Sequence, residues 1–243
     1  MKEKLAQIFN FLNKNRVYNK ELQERFYSSI ILPYNNDIDR IESVIYHIAN
    51  TQSQPRIDYL AKTYKYLYEN RDKLNSFGGF VNTINPNSNI KPNYRQLFNG
   101  MRVQKGWGDK TSALLVKTIF HLHNGNYSNE LRIWSDVPKK ISDNDEFFLP
   151  VDSVIIAIFE KIDSSINWNF TNINKELKKY YSGNDIEVWD DLWFWGFITQ
   201  NGTGKNRLFE WNENKYWTLK ESDKRKKKIE EIKIKAEEFL LHF

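Results

Sequence analysis

The sequence predicts a mainly all-α protein. Apolar residues recur every three or four positions along most of the 243 residues, and breaks rich in Pro, Gly and Asn separate those runs. Only one short stretch near the C-terminus reads as a small β-hairpin. A hydrophobic content of 40% supplies a real core, in one large domain or in two helical lobes. The chain has no cysteine, which excludes disulfides, thiolate metal sites and iron–sulfur clusters. No apolar run approaches the roughly 18–20 residues that span a bilayer, and Met1-Lys2-Glu3-Lys4 leads into no signal-peptide core, so a cytoplasmic protein without a membrane partner is expected. A formal charge of +5 permits nucleic-acid binding without demanding it.

In chain order, Leu5, Ile8, Phe9 and Leu12 share one helical face, and Leu22, Phe26 and Ile30 continue the pattern until Pro33. Asp37 or Asp39 is placed to cap the next helix, whose apolar face is Ile41, Val44, Ile45 and Ile48. The turn from Asn50 to Pro55 breaks it. Tyr59, Leu60, Tyr64 and Leu67 define a further helix that ends before Gly78-Gly79, and residues 82–92 read as a surface connection. A helix from Tyr94 to Arg102 runs into a glycine turn, and a stronger one from Thr111 to His123 comes next, with Leu114, Leu115, Thr118, Ile119 and Leu122 inward. Residues 126–148 form a polar, poorly periodic insert. Helices are expected from Asp152, with Val154, Ile155, Ile158, Phe159 and Ile162 inward, and from Val188 to Ile198. Arg207–Trp211 and Tyr216–Leu219 are the two arms of the expected hairpin, and residues 222–243 a lysine-rich terminal helix.

Two segments carry the chemistry. In Gly106-Trp107-Gly108-Asp109-Lys110-Thr111, a Gly-x-Gly turn between helices lets the backbone adopt positive φ and aim N–H groups outward at a helix start, a site for one phosphate. Lys110 lies in the first turn of its helix, where a cation is electrostatically disfavoured, and a lysine that sheds its proton there is a nucleophile. In Leu149-Pro150-Val151-Asp152, the aspartate opens an apolar helix, and as an N-cap it holds an anion at a fixed place. Neither glycine segment is a Walker loop: Asp109 separates Gly108 from Lys110, and Asn206 comes after Gly202-Thr203-Gly204-Lys205. His121 and His123 lack the i, i+4 spacing of a helical zinc pair, so no metal is assigned.

These segments resemble the helix–hairpin–helix–Gly/Pro–Asp superfamily of DNA glycosylases. Gly106 to Thr111 is similar to that family's hairpin, Leu149 to Asp152 to its Val-Pro-Val-Asp segment, Gln52 to a glutamine of its helix-breaking turn, and Gly196 to a glycine of the helix after the aspartate. The resemblance covers roughly residues 40–200. It implies a single two-lobed helical domain over 1–243, with the helix–hairpin–helix at about 94–123, the insert at about 126–148 and the basic helix at about 222–243. It implies a base-excision enzyme with AP lyase activity in which Lys110 attacks the sugar C1′ and Asp152 assists, with no cofactor. The lysine together with the missing cluster points to oxidised purine, 8-oxoguanine above all, in double-stranded DNA. A nucleoid-associated monomer is the expected form. Trp107 departs from the small aliphatic residue of the family's hairpin, and the connection from Lys110 to Asp152 is long.

Further residues are weighed on the same basis. Gly106, Trp107, Gly108 and Thr111 are expected at the DNA, and Gln52 either fills the gap left by an extruded base or has a structural place in its turn. Trp189 and Trp193 offer aromatic faces for a base pocket or belong to the core. The run from Lys224 to Lys228 either touches phosphates or is a solvated face balanced by Glu230, Glu231, Glu237 and Glu238. The alternatives are a monofunctional glycosylase for alkylated bases, a non-catalytic DNA-binding protein that keeps the hairpin, and a helical protein-interaction module.

Overall fold

The computed structural model describes residues 1–141, 145–219 and 226–243. The chain is mainly helical and divides into two compact units. A terminal unit comprises Met1–Leu22, Val151–Tyr181 and Asp185–Phe243, and a central unit comprises Gln23–Pro150 and Ser182–Asn184. Among the described residues no helix is long and apolar enough to cross a membrane.

In the central unit, α3 (Asp37–Ala49) buries Ile41, Val44, Ile45 and Ile48, as its periodicity requires. Its cap is Asn36, one residue earlier than expected; Asn36 has extended backbone and its side chain accepts from Asp39 N at 2.9 Å, so Asp37 and Asp39 lie inside the first turn. Helix α4 (Ile57–Glu69) ends sooner than its pattern suggests and passes through a 3₁₀ turn, Arg71–Asn75, into α5 (Phe77–Ile84). Gly78 and Gly79 therefore sit inside a helix instead of ending one. Ser76 caps Gly79 N at 3.0 Å, and a Cβ on Gly79 would collide with the Lys73 carbonyl.

Helices α6 (Tyr94–Arg102) and α7 (Asp109–Asn124) make the helix–turn–helix read from the sequence. The segment from 126 to 148 is not a polar excursion. It buries Leu131, Ile133, Trp134, Val137 and Phe147, and the Trp134 indole donates to the Leu74 carbonyl at 3.0 Å. Two of its aspartates satisfy helix starts: Asp136 accepts from Phe77 N and Gly78 N at 2.8 Å each, and Asp145 accepts from Tyr94 N at 3.1 Å and Arg95 N at 2.6 Å. Leu131 ends a 3₁₀ turn, Asn129–Leu131, and the other buried residues named lie outside helix and strand, so their irregular spacing hides their burial from a periodicity reading.

The terminal unit starts with α1 (Lys2–Lys14) and the first turns of α2 (Arg16–Ile31). Leu5, Ile8 and Leu12 are buried, joined by Phe11, whose ring meets Trp195 edge-on at 5.0 Å. Helix α8 (Ser153–Ile162) starts directly after Asp152, and α9 (Phe170–Leu177) is a short helix capped by a reciprocal Asn169–Asn172 pair. The helix expected over 188–198 is two: α10 (Gly183–Trp189) and α11 (Asp191–Ile198). Gly196 lets α11 approach α8, since a Cβ there would meet Ile158 at 2.6 Å and Val154 at 2.8 Å.

The expected hairpin is corrected. Strands β1 (Gln200–Asn201) and β2 (Leu208–Phe209) pair antiparallel, with Gln200 opposite Phe209, whereas Tyr216–Leu219 is the end of helix α12 (Glu213–Leu219). The Asn212 side chain accepts from Lys215 N at 3.0 Å and starts that helix. Helix α13 (Lys226–Leu240) buries Ile232, Ala236 and Phe239. Lys224 and Arg225 of the basic run lie outside the described residues; within them, the pairs Lys228–Glu231, Lys233–Glu237 and Lys235–Glu238 run along the helix face.

In the same unit, Arg16 bridges the carboxylates of Glu187 and Asp191, and Asn19 donates to Asp191 at 2.6 Å. Burial pushes the Asp191 carboxyl up to about 7, against the pull of Arg16 and Asn19.

Candidate functional site

The hairpin in the central unit is fixed from three sides. Gly106 has φ +82, a conformation that side chains resist, and a Cβ there would also meet Leu60 Cδ2 at 2.9 Å and Leu60 N at 3.0 Å. Thr63 donates to the Lys105 carbonyl at 2.7 Å, and Gln52 Nε2 donates to the Gly106 carbonyl at 3.2 Å. The turn is thereby tied both to α4 and to the connection between α3 and α4. Gln52 stands in the structural place of its two readings, as an anchor of the hairpin.

Trp107 is buried, at 8% exposure, and packs into the protein instead of presenting its ring outward. Gly108 is extended and exposed, with nothing within 4 Å of where a Cβ would be. Thr111 does not face outward either: its buried hydroxyl accepts from Gly108 N at 3.0 Å and donates to Gly108 O at 3.2 Å, closing the helix start. Among the described residues the backbone N–H groups of Asp109, Lys110 and Thr111 have no acceptor within the chain, as is general for the first turn of a helix. Asp109 faces Arg102 at 3.6 Å. Lys110 is half-buried in the first turn and its Nζ reaches the Thr51 carbonyl at 3.4 Å.

Asp152 belongs to the terminal unit, just past the boundary between Pro150 and Val151. It caps α8: Oδ1 accepts from Val154 N at 2.9 Å and Ile155 N at 3.1 Å, while Oδ2 accepts from the Trp193 indole at 2.9 Å. Three donors converge on one carboxylate and hold it in a single orientation. Trp193 is half-buried and stacks on Phe197, with ring centroids 5.0 Å apart and planes at 14°. It keeps part of its surface free next to the aspartate.

Trp189 is a correction. At 0% exposure it lies in the core against Phe9, Phe159 and Tyr181, and no face remains for a base. Nothing in the sequence separates it from Trp193; both stand in the same aromatic run, and the break at Asp190 decides which ring turns inward. His123 is structural: its Nε2 accepts from Ile133 N at 3.3 Å, and burial, reinforced by the charge of Arg132, holds the ring down to about 4, against Asp136. The sequence reading missed Thr51 and Thr63, ordinary residues whose partners lie far along the chain, and the indole donor of Trp193.

No protein-family model matches this chain, and comparisons with curated proteins and with solved structures return no match.

Proposed function

We propose that this protein is a base-excision DNA glycosylase with AP lyase activity, of the helix–hairpin–helix–Gly/Pro–Asp type, acting on oxidised purine in duplex DNA. The observation that carries the reading is the hairpin: a left-handed Gly106, an open Gly108 and three unengaged N–H groups at the start of the helix whose first turn holds Lys110. Such a turn grips a backbone phosphate without reading sequence. A second support is Asp152, an anion held by three donors directly after Leu149-Pro150-Val151.

In this reading the hairpin seats the backbone beside the lesion, and the damaged nucleotide leaves the stack. The amine of Lys110 attacks C1′, the bond from C1′ to the base nitrogen breaks, and the base departs with a proton from the amine. Asp152 stabilises the positive charge that develops on the sugar. Loss of the ring oxygen from C1′ gives a Schiff base, and removal of a C2′ proton expels the 3′ phosphate by β-elimination. Trp193 sets the angle of Asp152 and offers a stacking face on the same unit.

The test is product analysis on duplexes carrying 8-oxoguanine opposite each of the four bases. The reading expects free base and a β-eliminated strand, fastest opposite cytosine. Base release with an intact strand favours a monofunctional enzyme. The contact from Lys110 to the Thr51 carbonyl suits that second reading, because it employs the lysine as a donor.

A further inference from the structure

The ribbon of the terminal unit gathers two cations on one residue. Gln200 is wholly buried, and its Nε2 donates to the Val154 carbonyl at 3.0 Å, tying β1 to the first turn of α8. Its side-chain Oε1 accepts from the Arg207 guanidinium, and its backbone carbonyl accepts from Lys215 Nζ. Both cations are half-buried, and among the described residues neither has a carboxylate partner. Glu210, at the end of β2, instead takes a bond from Asn201 at 2.7 Å. Lys215 also lies over the Phe197 ring at 5.0 Å. Burial first, and the charge of Arg207 second, hold the lysine below its ordinary range. Gly202 and Gly204 shape the connecting loop at positive φ, and Gly204 has open space where a Cβ would stand.

We infer that Arg207 and Lys215 form a phosphate site in the terminal unit, separate from the hairpin, that takes one phosphate group. A guanidinium fork and an ammonium held on the same residue each present donors to a phosphate, and the anion offsets the like charge of the pair. The glycosylase reading enters only in the source: a DNA phosphodiester supplies the group if that reading holds, and free phosphate supplies it otherwise.

The test compares the wild type with Arg207→Gln/Lys215→Gln and the charge-conserving Arg207→Lys/Lys215→Arg. Duplex binding is measured between about 50 and 200 mM salt. For a DNA phosphate, the slope of log affinity against log salt becomes shallower by about 1 in the glutamine variant and returns in the charge-conserving one. In parallel, inorganic phosphate is titrated while the backbone amide signals of Gln200 and Phe197 are followed by NMR. Phosphate-dependent shifts lost in the glutamine variant, with duplex binding unchanged or absent in every protein, assign the site to free phosphate. An unchanged salt slope together with no phosphate response overturns the proposal. A wild type that ignores duplex DNA yet answers phosphate here sinks the glycosylase reading and leaves this site standing. Thermal midpoints are compared first, and if the double glutamine variant unfolds, Lys215→Gln alone is used.

Discussion

At Asp152 the two carboxylate oxygens serve different partners: Oδ1 closes the start of α8 through Val154 and Ile155, and Oδ2 takes the indole of Trp193. Capping uses only the first pair; the second fixes the orientation of the carboxylate. Asp152→Asn keeps a capping oxygen, loses the charge and the bond from the Trp193 indole; it is expected to fold with a small loss of stability, bind duplex DNA as before and turn over at least about 10²-fold more slowly. Trp193→Phe keeps a ring on Phe197 and loses the donor. Its kcat is expected to fall about tenfold with KM unchanged, because a carboxylate free to rotate spends less time in the productive geometry. Equal losses in kcat and binding would instead make Trp193 a contact to the substrate. The capping place of Asp152 was legible from its position after Pro150 at the head of an apolar helix. The choice between Trp189 and Trp193 was not, since it depends on a helix break that neighbouring apolar residues do not signal.

Among the elements, the hairpin distinguishes its two glycines. Gly106→Ala forces a Cβ into the left-handed region and against Leu60, so a loss of about 2 kcal/mol or more in denaturant unfolding is expected. Gly108→Ala meets open space at an extended backbone, and within about 1 kcal/mol it should fold as the wild type does. If DNA closes on that turn, Gly108→Ala nonetheless weakens duplex binding; unchanged binding would put the DNA elsewhere. Helices α3, α6, α7 and α8 were readable because their apolar stripes keep the helical period over two or more turns and their ends carry Asn, Gly or Asp. The segment from 126 to 148 was not, because Asp136 and Asp145 find their partners at helix starts far back along the chain. The second arm of the hairpin failed for a local reason: Asn212 caps a helix at that point, and Tyr216 turns inward on it.

At the scale of the whole molecule, stability carries two opposed pH dependences. His123 is held to about 4 from an ordinary 6.5, so between those values the unfolded chain binds a proton that the folded chain refuses. Its contribution is complete above about pH 6.5 and is lost as the pH falls towards 4, to a limit of about 3 kcal/mol. Asp191, raised from 3.8 to about 7, acts the other way: the folded chain keeps a proton that the unfolded chain has released, and stability falls as pH rises through that range. Urea unfolding of the wild type and of His123→Gln from pH 4 to 7 separates the two. The difference between the curves is expected to widen with rising pH, and parallel curves would show that His123 titrates normally.

Borohydride trapping reads directly the proposed covalent bond between Lys110 and the sugar of a damaged nucleotide. Duplexes carrying 8-oxoguanine, thymine glycol, uracil or an abasic site are incubated with wild type and Lys110→Gln in the presence of borohydride. A trapped complex is expected on the abasic and 8-oxoguanine duplexes with the wild type and none with Lys110→Gln. A complex that survives Lys110→Gln, or no complex on any duplex, would contradict the proposed bond.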